Sequence, residues 1–230
     1  GIGGAATELP RMLFMSKAEQ REHRKKLASQ ALQKTASSLH SKMTEPQATA
    51  AYQRGMAVLD KGDVLCARSL LSKAVLSGKL RAPAEKSAVD ALSALAERLI
   101  FSDTVVKDDP VCLNYALQKD ESLRQVMAWK LGLAVPRAAI LKINGMRTLT
   151  DLKGRESVKL IRGPFHAVLH KESRRIDMYI ARPGLSPVFV GRMPVAVAAD
   201  TAPPVGVYLV GGKLLNAPWV PPPGSDDTGR

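Results

Sequence analysis

An α+β chain is predicted by three changes of periodicity along the sequence. Apolar residues recur at helical spacing through 45–101, and short strand and helix patterns mix through 114–161. From Gly163 onward alternating apolar runs are separated by Pro and Gly clusters. The expected order is an N-terminal helical hairpin region, a βααβ module and a partial β-sandwich.

Residues 1–44 are expected to be a helical or partly disordered lead-in. Ser16 with Glu19 has capping-box spacing, but Lys17–Lys42 carries only a thin apolar stripe through Leu27, Ala31 and Leu39. Residues 45–101 form the helical hairpin region. Tyr52, Met56 and Leu59 repeat at helical spacing and stop at Gly62-Asp63, a C-cap and turn signal. Ala67, Leu70, Leu71, Ala74 and Val75 make a second stripe that ends at Gly78. Pro83 sits in the first turn of a third helix, whose face is Val89, Leu92, Leu95, Ala96 and Leu99. The small contact residues Gly55, Ala67 and Ala74 make the first pair similar to one tetratricopeptide-type unit, with no repeat at fixed period.

Residues 102–113 are polar, contain Pro110 and read as a linker. After it come a strand at Asn114–Gln118, a helix at Glu121–Gly132, a short helix at Pro136–Ile143, an Asn144-Gly145 turn and a strand at Val158–Ile161. Alternation then marks Phe165–Val168 with His166 and His170, and Ile176, Met178 and Ile180. Further apolar runs lie at Val188–Gly191, Val195–Ala198 and Val205–Val210. A sheet built from these alone would be open, with unpaired edges and little stability of its own.

The 230 residues include 45% hydrophobic and 4% aromatic side chains, and the net charge is +13. Charge is densest in 147–182, at +5, but it is not concentrated with base-stacking aromatics. No dedicated nucleic-acid site is therefore expected; a basic nucleic-acid-associated protein is the remote alternative. Two cysteines exclude a disulfide-dense scaffold, and no Cys/His spacing suggests a metal. No apolar run reaches the roughly 18 residues of a membrane span. The chain begins at Gly1 without an initiator Met, and it is expected to be incomplete at both ends. That leaves room for a membrane anchor upstream of Gly1.

Tyr115-Ala-Leu-Gln-Lys-Asp-Glu-Ser-Leu123-Arg-Gln-Val126, with Asn144-Gly145 and the stretch from Gly154 to Leu160, resembles a LysM domain over 114–161. Asp120-Glu121 stands where that family usually has Gly-Asp, and the interval from Gly154 to Val158 is one residue longer. The resemblance implies a βααβ fold that binds N-acetylglucosamine-containing glycans between the loop after the first strand and the loop before the second. The implied contact residues are Lys119, Asp120, Glu121, Ser122, Asn144, Gly145 and Arg147.

Residues 162–230 are similar to the N-terminal part of an L,D-transpeptidase catalytic domain of YkuD type. The similar phrases run from Val158 through Gly163-Pro164-Phe165 to Val168, then Arg175–Ile180, Pro204-Val-Gly206-Val-Tyr208 and Lys213–Trp219. The resemblance implies acyl transfer between peptidoglycan stem peptides through a cysteine thioester, in the cell envelope, with peptidoglycan as partner and no cofactor. That chemistry needs a thiolate, a His to take its proton and oxyanion donors. The family carries them in a Ser/Thr-His-Gly-Cys motif, which this sequence lacks. Cys66 reads as a core thiol within a helix, and Cys112 as a linker residue. His166 and His170 share one strand face with no carboxylate or third ligand nearby. No catalytic or metal-binding residue is assigned, and the chain as it stands is expected to be inactive. The alternative is a non-catalytic peptidoglycan-binding envelope protein.

Overall fold

A computed structural model describes residues 42–118, 121–123, 126–127, 135–152, 155–182, 184–196, 204–208 and 210. The expected lead-in therefore lies outside the described residues up to Ser41, as does most of the helix expected at 121–132. All helices and strands named below fall in one compact unit, Gln30–Pro203.

Helix α1 spans Glu45–Asp60, α2 Val64–Leu76 and α3 Ala82–Leu99. Their ends follow from local chemistry. A capping box starts α1, with the Thr44 amide donating to Gln47 Oε1 at 2.9 Å. Gly62, at φ +83°, ends it in the left-handed region that glycine enters without strain. Asp63 then caps α2, its Oδ1 accepting from the Cys66 amide at 3.1 Å. Gly55 lets α1 approach α2: a Cβ there would lie 2.8 Å from Leu71 side-chain carbons.

Strand β1 (Cys112–Ala116) pairs antiparallel with β2 (Ser157–Ile161), from Cys112↔Ile161 to Ala116↔Ser157. Between them in sequence lie the buried Leu123, Val126 and Met127, helix α4 (Arg137–Ile143) and a 3₁₀ turn at Leu149–Leu152. The first strand begins two residues earlier than the sequence pattern implied. The cause is burial of Val111 and Cys112, at 0% and 3% exposure, inside the segment read as linker.

Strands β3 (Phe165–His170), β4 (Arg175–Arg182) and β5 (Leu185–Pro194) form an antiparallel sheet in that order. The run at Val188–Gly191 is the middle of the longer β5. The expected strands at 195–198 and 205–210 are not borne out at their described residues, which carry no strand. Val205, Val207, Tyr208 and Val210 are exposed, so no apolar face stabilises a strand there.

Two apolar clusters hold the unit together. One joins Leu71, Val75, Ala88 and Leu92 of α2 and α3 to Tyr179 and Phe189 of the sheet, whose rings meet edge-on at 5.6 Å. The second gathers Leu95, Leu99 and Ile100 with Val111, Leu123, Val126, Ile140, Ile143, Val158, Leu160 and Ile161. It extends to Ile180, Val188 and Val190. The sheet is thus not the open layer its sequence suggested, because α2 and α3 cover one of its faces. Ser72 of α2 even satisfies the Phe189 amide of β5, Oγ accepting at 3.0 Å.

Candidate functional site

The described residues with glycan-binding expectation follow β1 in sequence or precede β2. Antiparallel pairing puts the end of β1 beside the start of β2, and the Leu117 amide donates to Glu156 O at 2.9 Å just beyond it. Lys119 and Asp120 lie outside the described residues. Glu121 is half-buried: Oε1 accepts from the Tyr115 hydroxyl at 3.1 Å and Oε2 from the Gln118 amide at 3.2 Å. Ser122 is exposed, and its carbonyl accepts from the Val126 amide at 3.1 Å.

The second segment divides into structural and exposed residues. Asn144 is 8% exposed. Its Nδ2 donates to Ile140 O and Lys159 O, and its Oδ1 accepts from the Lys159 amide, all at 2.8 Å. Those bonds tie α4 to β2 and turn the amide inward. Gly145 follows at φ +64° and is exposed, as is Arg147. Asp151 fixes this loop: Oδ2 accepts from the Arg147 amide at 2.7 Å and the Thr148 amide at 3.0 Å, and Oδ1 from Thr148 Oγ1 at 3.1 Å. Backbone donation from Thr148 and then Arg147 holds the Asp151 carboxyl below its ordinary range. Ser122, Gly145 and Arg147 are thus exposed, whereas Asn144 is taken up by the fold and Glu121 is half-buried.

On β2 itself stands Lys159, whose charge the apolar run around it concealed. It is 2% exposed, and its ammonium donates to Leu99 O, Ser102 O and Thr104 O. Carbonyls at the C-terminal end of α3 supply partial negative charge to the ammonium. Burial nevertheless pulls its pKa down from the usual lysine value. Beside it, Cys112 Sγ is 3.5 Å from the Leu99 carbonyl. Burial, followed by Asp109, pushes that thiol up to about 11, so it stays protonated at neutral pH. Cys66 is half-buried in the first turn of α2 rather than in mid-helix, and it too is a free thiol.

The segment 102–113 carries a further buried pair. Arg68 of α2 grips Asp109 with two bonds, Nη2 to Oδ1 at 2.6 Å and Nη1 to Oδ2 at 3.1 Å, both residues being buried. The same Oδ1 accepts from the Val111 amide at 2.8 Å.

On the sheet, the histidine pair departs from expectation. His170 Nε2 lies 3.3 Å from Oδ2 of Asp177, a carboxylate on the neighbouring strand that strand pairing, not sequence adjacency, brings close. His166 Nε2 instead meets Ala181 O at 3.0 Å. Asp177 is 2% exposed and takes two bonds from Arg192, at 2.6 and 2.9 Å. Glu85 of α3 accepts from Arg175 and Arg192, both at 2.9 Å. Desolvation works against the Arg192 charge, but Asp177 and then Glu85 outweigh it and raise its pKa. This network fastens α3 to β4 and β5. Among the described residues no His, Cys, Asp and Glu side chains gather in a metal-binding group, and no helix is long and apolar enough to cross a membrane.

Comparison with known proteins adds no further assignment, since no family model, curated protein or solved structure matches the chain.

Proposed function

We propose that this chain is a peptidoglycan-binding portion of a cell-envelope L,D-transpeptidase, holding N-acetylglucosamine-containing glycan at its two ribbon-end loops. The observation that carries this reading is the antiparallel β1–β2 ribbon, which places Leu117 and Glu156, just beyond its paired strands, side by side. It supports the LysM resemblance because a shallow groove between those loops needs that connection. Affinity for short glycans should be micromolar to millimolar, about −8 to −4 kcal/mol. Co-sedimentation with insoluble peptidoglycan tests the reading: the chain should be retained, and a Ser122→Ala/Arg147→Gln variant should be retained less. Equal retention of the two would count against these loops.

One observation favours a second reading, a non-catalytic peptidoglycan-binding envelope protein. Cys112 is buried with a raised pKa, and Cys66 stands on α2 while His166 and His170 stand on β3. Burial of the Cys112 thiol leaves it far from the thiolate form that acyl transfer requires. Incubation with tetrapeptide stems should give no cross-linked product from this chain. Turnover lost in Cys66→Ala or Cys112→Ala would restore catalysis to these residues.

A further inference from the structure

We propose that the outer edge of β3 takes up an extended, acid-ended segment of a partner protein as an added strand of the β3–β4–β5 sheet. The sheet runs in the order β3-β4-β5, so among the described residues β3 pairs only with β4. One of its two rows of amides and carbonyls therefore has no described strand beside it. The opposite edge is closed: α2 and α3 lie against β5, and Ser72 Oγ accepts from the Phe189 amide. Sheets usually guard a free edge with a lysine, a proline, a bulge or a very short strand. Phe165–His170 runs six residues without lysine or proline, and its pairing to β4 is regular from Phe165↔Ile180 to His170↔Arg175.

The face beside that edge is apolar, where an antiparallel sheet normally turns polar side chains to water. Tyr179 and Phe189 mark the face turned to α2 and α3. On the other, strand pairing lines up Leu169, Ile176 and Met193 in one row and Ala167, Met178 and Gly191 in the next. Neither row holds a charged or hydrogen-bonding side chain, and Leu169 and Met193 are 38% and 47% exposed. A strand added to β3 would lay every second side chain beside Ala167 and Leu169, joining backbone bonding to side-chain selection.

Charge decides the occupant. Arg162 precedes β3, and Lys171 and Arg174 lie in the turn after it, against Glu172. A second copy added across a two-fold axis would pair β3 antiparallel with itself. The Arg162 end of each strand would then meet the Lys171–Arg174 turn of the other, cation to cation, between chains of net charge +13. An extended segment that is apolar at alternate positions and acidic at both ends instead meets the apolar rows and both cationic ends.

Fluorescence anisotropy of the intact chain with labelled peptides tests this. One peptide has a core alternating valine and threonine with two glutamates at each end; the other carries lysines in their place. The glutamate peptide should bind about ten-fold more tightly, and the difference should shrink in high salt. N-methylation of alternate peptide amides should abolish binding in one phase and spare it in the other, as strand pairing requires. Arg174→Glu should erase the preference for glutamate ends. Leu169→Thr, which keeps a strand-forming residue, should weaken the glutamate peptide about five-fold, and both variants should melt as the wild type does. Equal binding of the two peptides, indifference to both N-methyl phases, or no binding would each overturn the inference. A concentration-dependent dimer that Leu169→Thr dissolves would also overturn it, giving the edge to a second copy. So would retention on phosphatidylglycerol vesicles that Leu169→Thr abolishes while neither peptide binds, which would give the surface to lipid.

Discussion

Asn144 shows how a residue type that suggests sugar contact can be taken up by the fold. Its amide satisfies the Ile140 carbonyl and both backbone groups of Lys159. Removing it leaves buried polar groups unpaired, at about 1–3 kcal/mol each. Asn144→Ala should therefore lower stability by about 3 kcal/mol in denaturant unfolding, whereas Ser122→Ala, at an exposed site, should change it by less than about 0.5 kcal/mol. Cys112 gives a pH signature. Its thiol rises from 9.0 to about 11 on folding, so the folded chain binds more protons across that interval. Stability from this group is complete below pH 9 and is lost as pH climbs toward 11, by about 3 kcal/mol in all. Lys159 acts in the opposite sense, because its lowered pKa makes the unfolded chain bind more protons just below the ordinary lysine value. Unfolding measured against pH should show Cys112→Ala with a flatter or rising alkaline limb. An alkaline limb as steep as that of the wild type would contradict the assignment.

Helix boundaries were legible because their determinants are neighbours in sequence. Gly62 with Asp63, Gly78, and Pro83 at the start of α3 act within one turn, whereas the Thr44–Gln47 box that starts α1 was not singled out. The strands of the ribbon were legible to within two residues. What stayed hidden was distant pairing. Asp109 meets Arg68 across 41 residues, Lys159 reaches Leu99 across 60, and Glu85 meets Arg192 across 107. Polar composition made 102–113 read as a linker, although a buried ion pair and the Lys159 ammonium hold it in place. Asp109→Ala should therefore destabilise the chain by about 3–5 kcal/mol, since it strands a buried guanidinium. Limited proteolysis checks the same element. The wild-type segment 102–113 should resist cleavage and the Asp109→Ala segment should be cut; rapid cleavage in the wild type would restore the linker.

Helices and strands share their apolar cores, so the described residues of Gln30–Pro203 should unfold together. Leu92 on α3 and Phe189 on β5 belong to one cluster, with Tyr179 between strand and helix. Leu92→Ala and Phe189→Ala should each cost about 2–5 kcal/mol and shift helix and sheet signals in a single transition. Two separated transitions would show the helical region and the sheet to be independent. The same cohesion gives the loop after α4 a firm base: Asn144 fastens its origin to β2, and Lys159 fastens β2 to the end of α3. The glycan reading itself came from the LysM resemblance carried by Tyr115–Val126 and Asn144-Gly145, while burial separates Asn144, which is buried, from Ser122, which is exposed. Hydrogen exchange along the whole chain, with and without a soluble muramyl glycan, tests the central claim most directly. The account predicts added protection in 117–122 and 144–150 with little change in α1, α2 and α3. Unchanged exchange in both loops at saturating glycan, or protection confined to the helices, would contradict it.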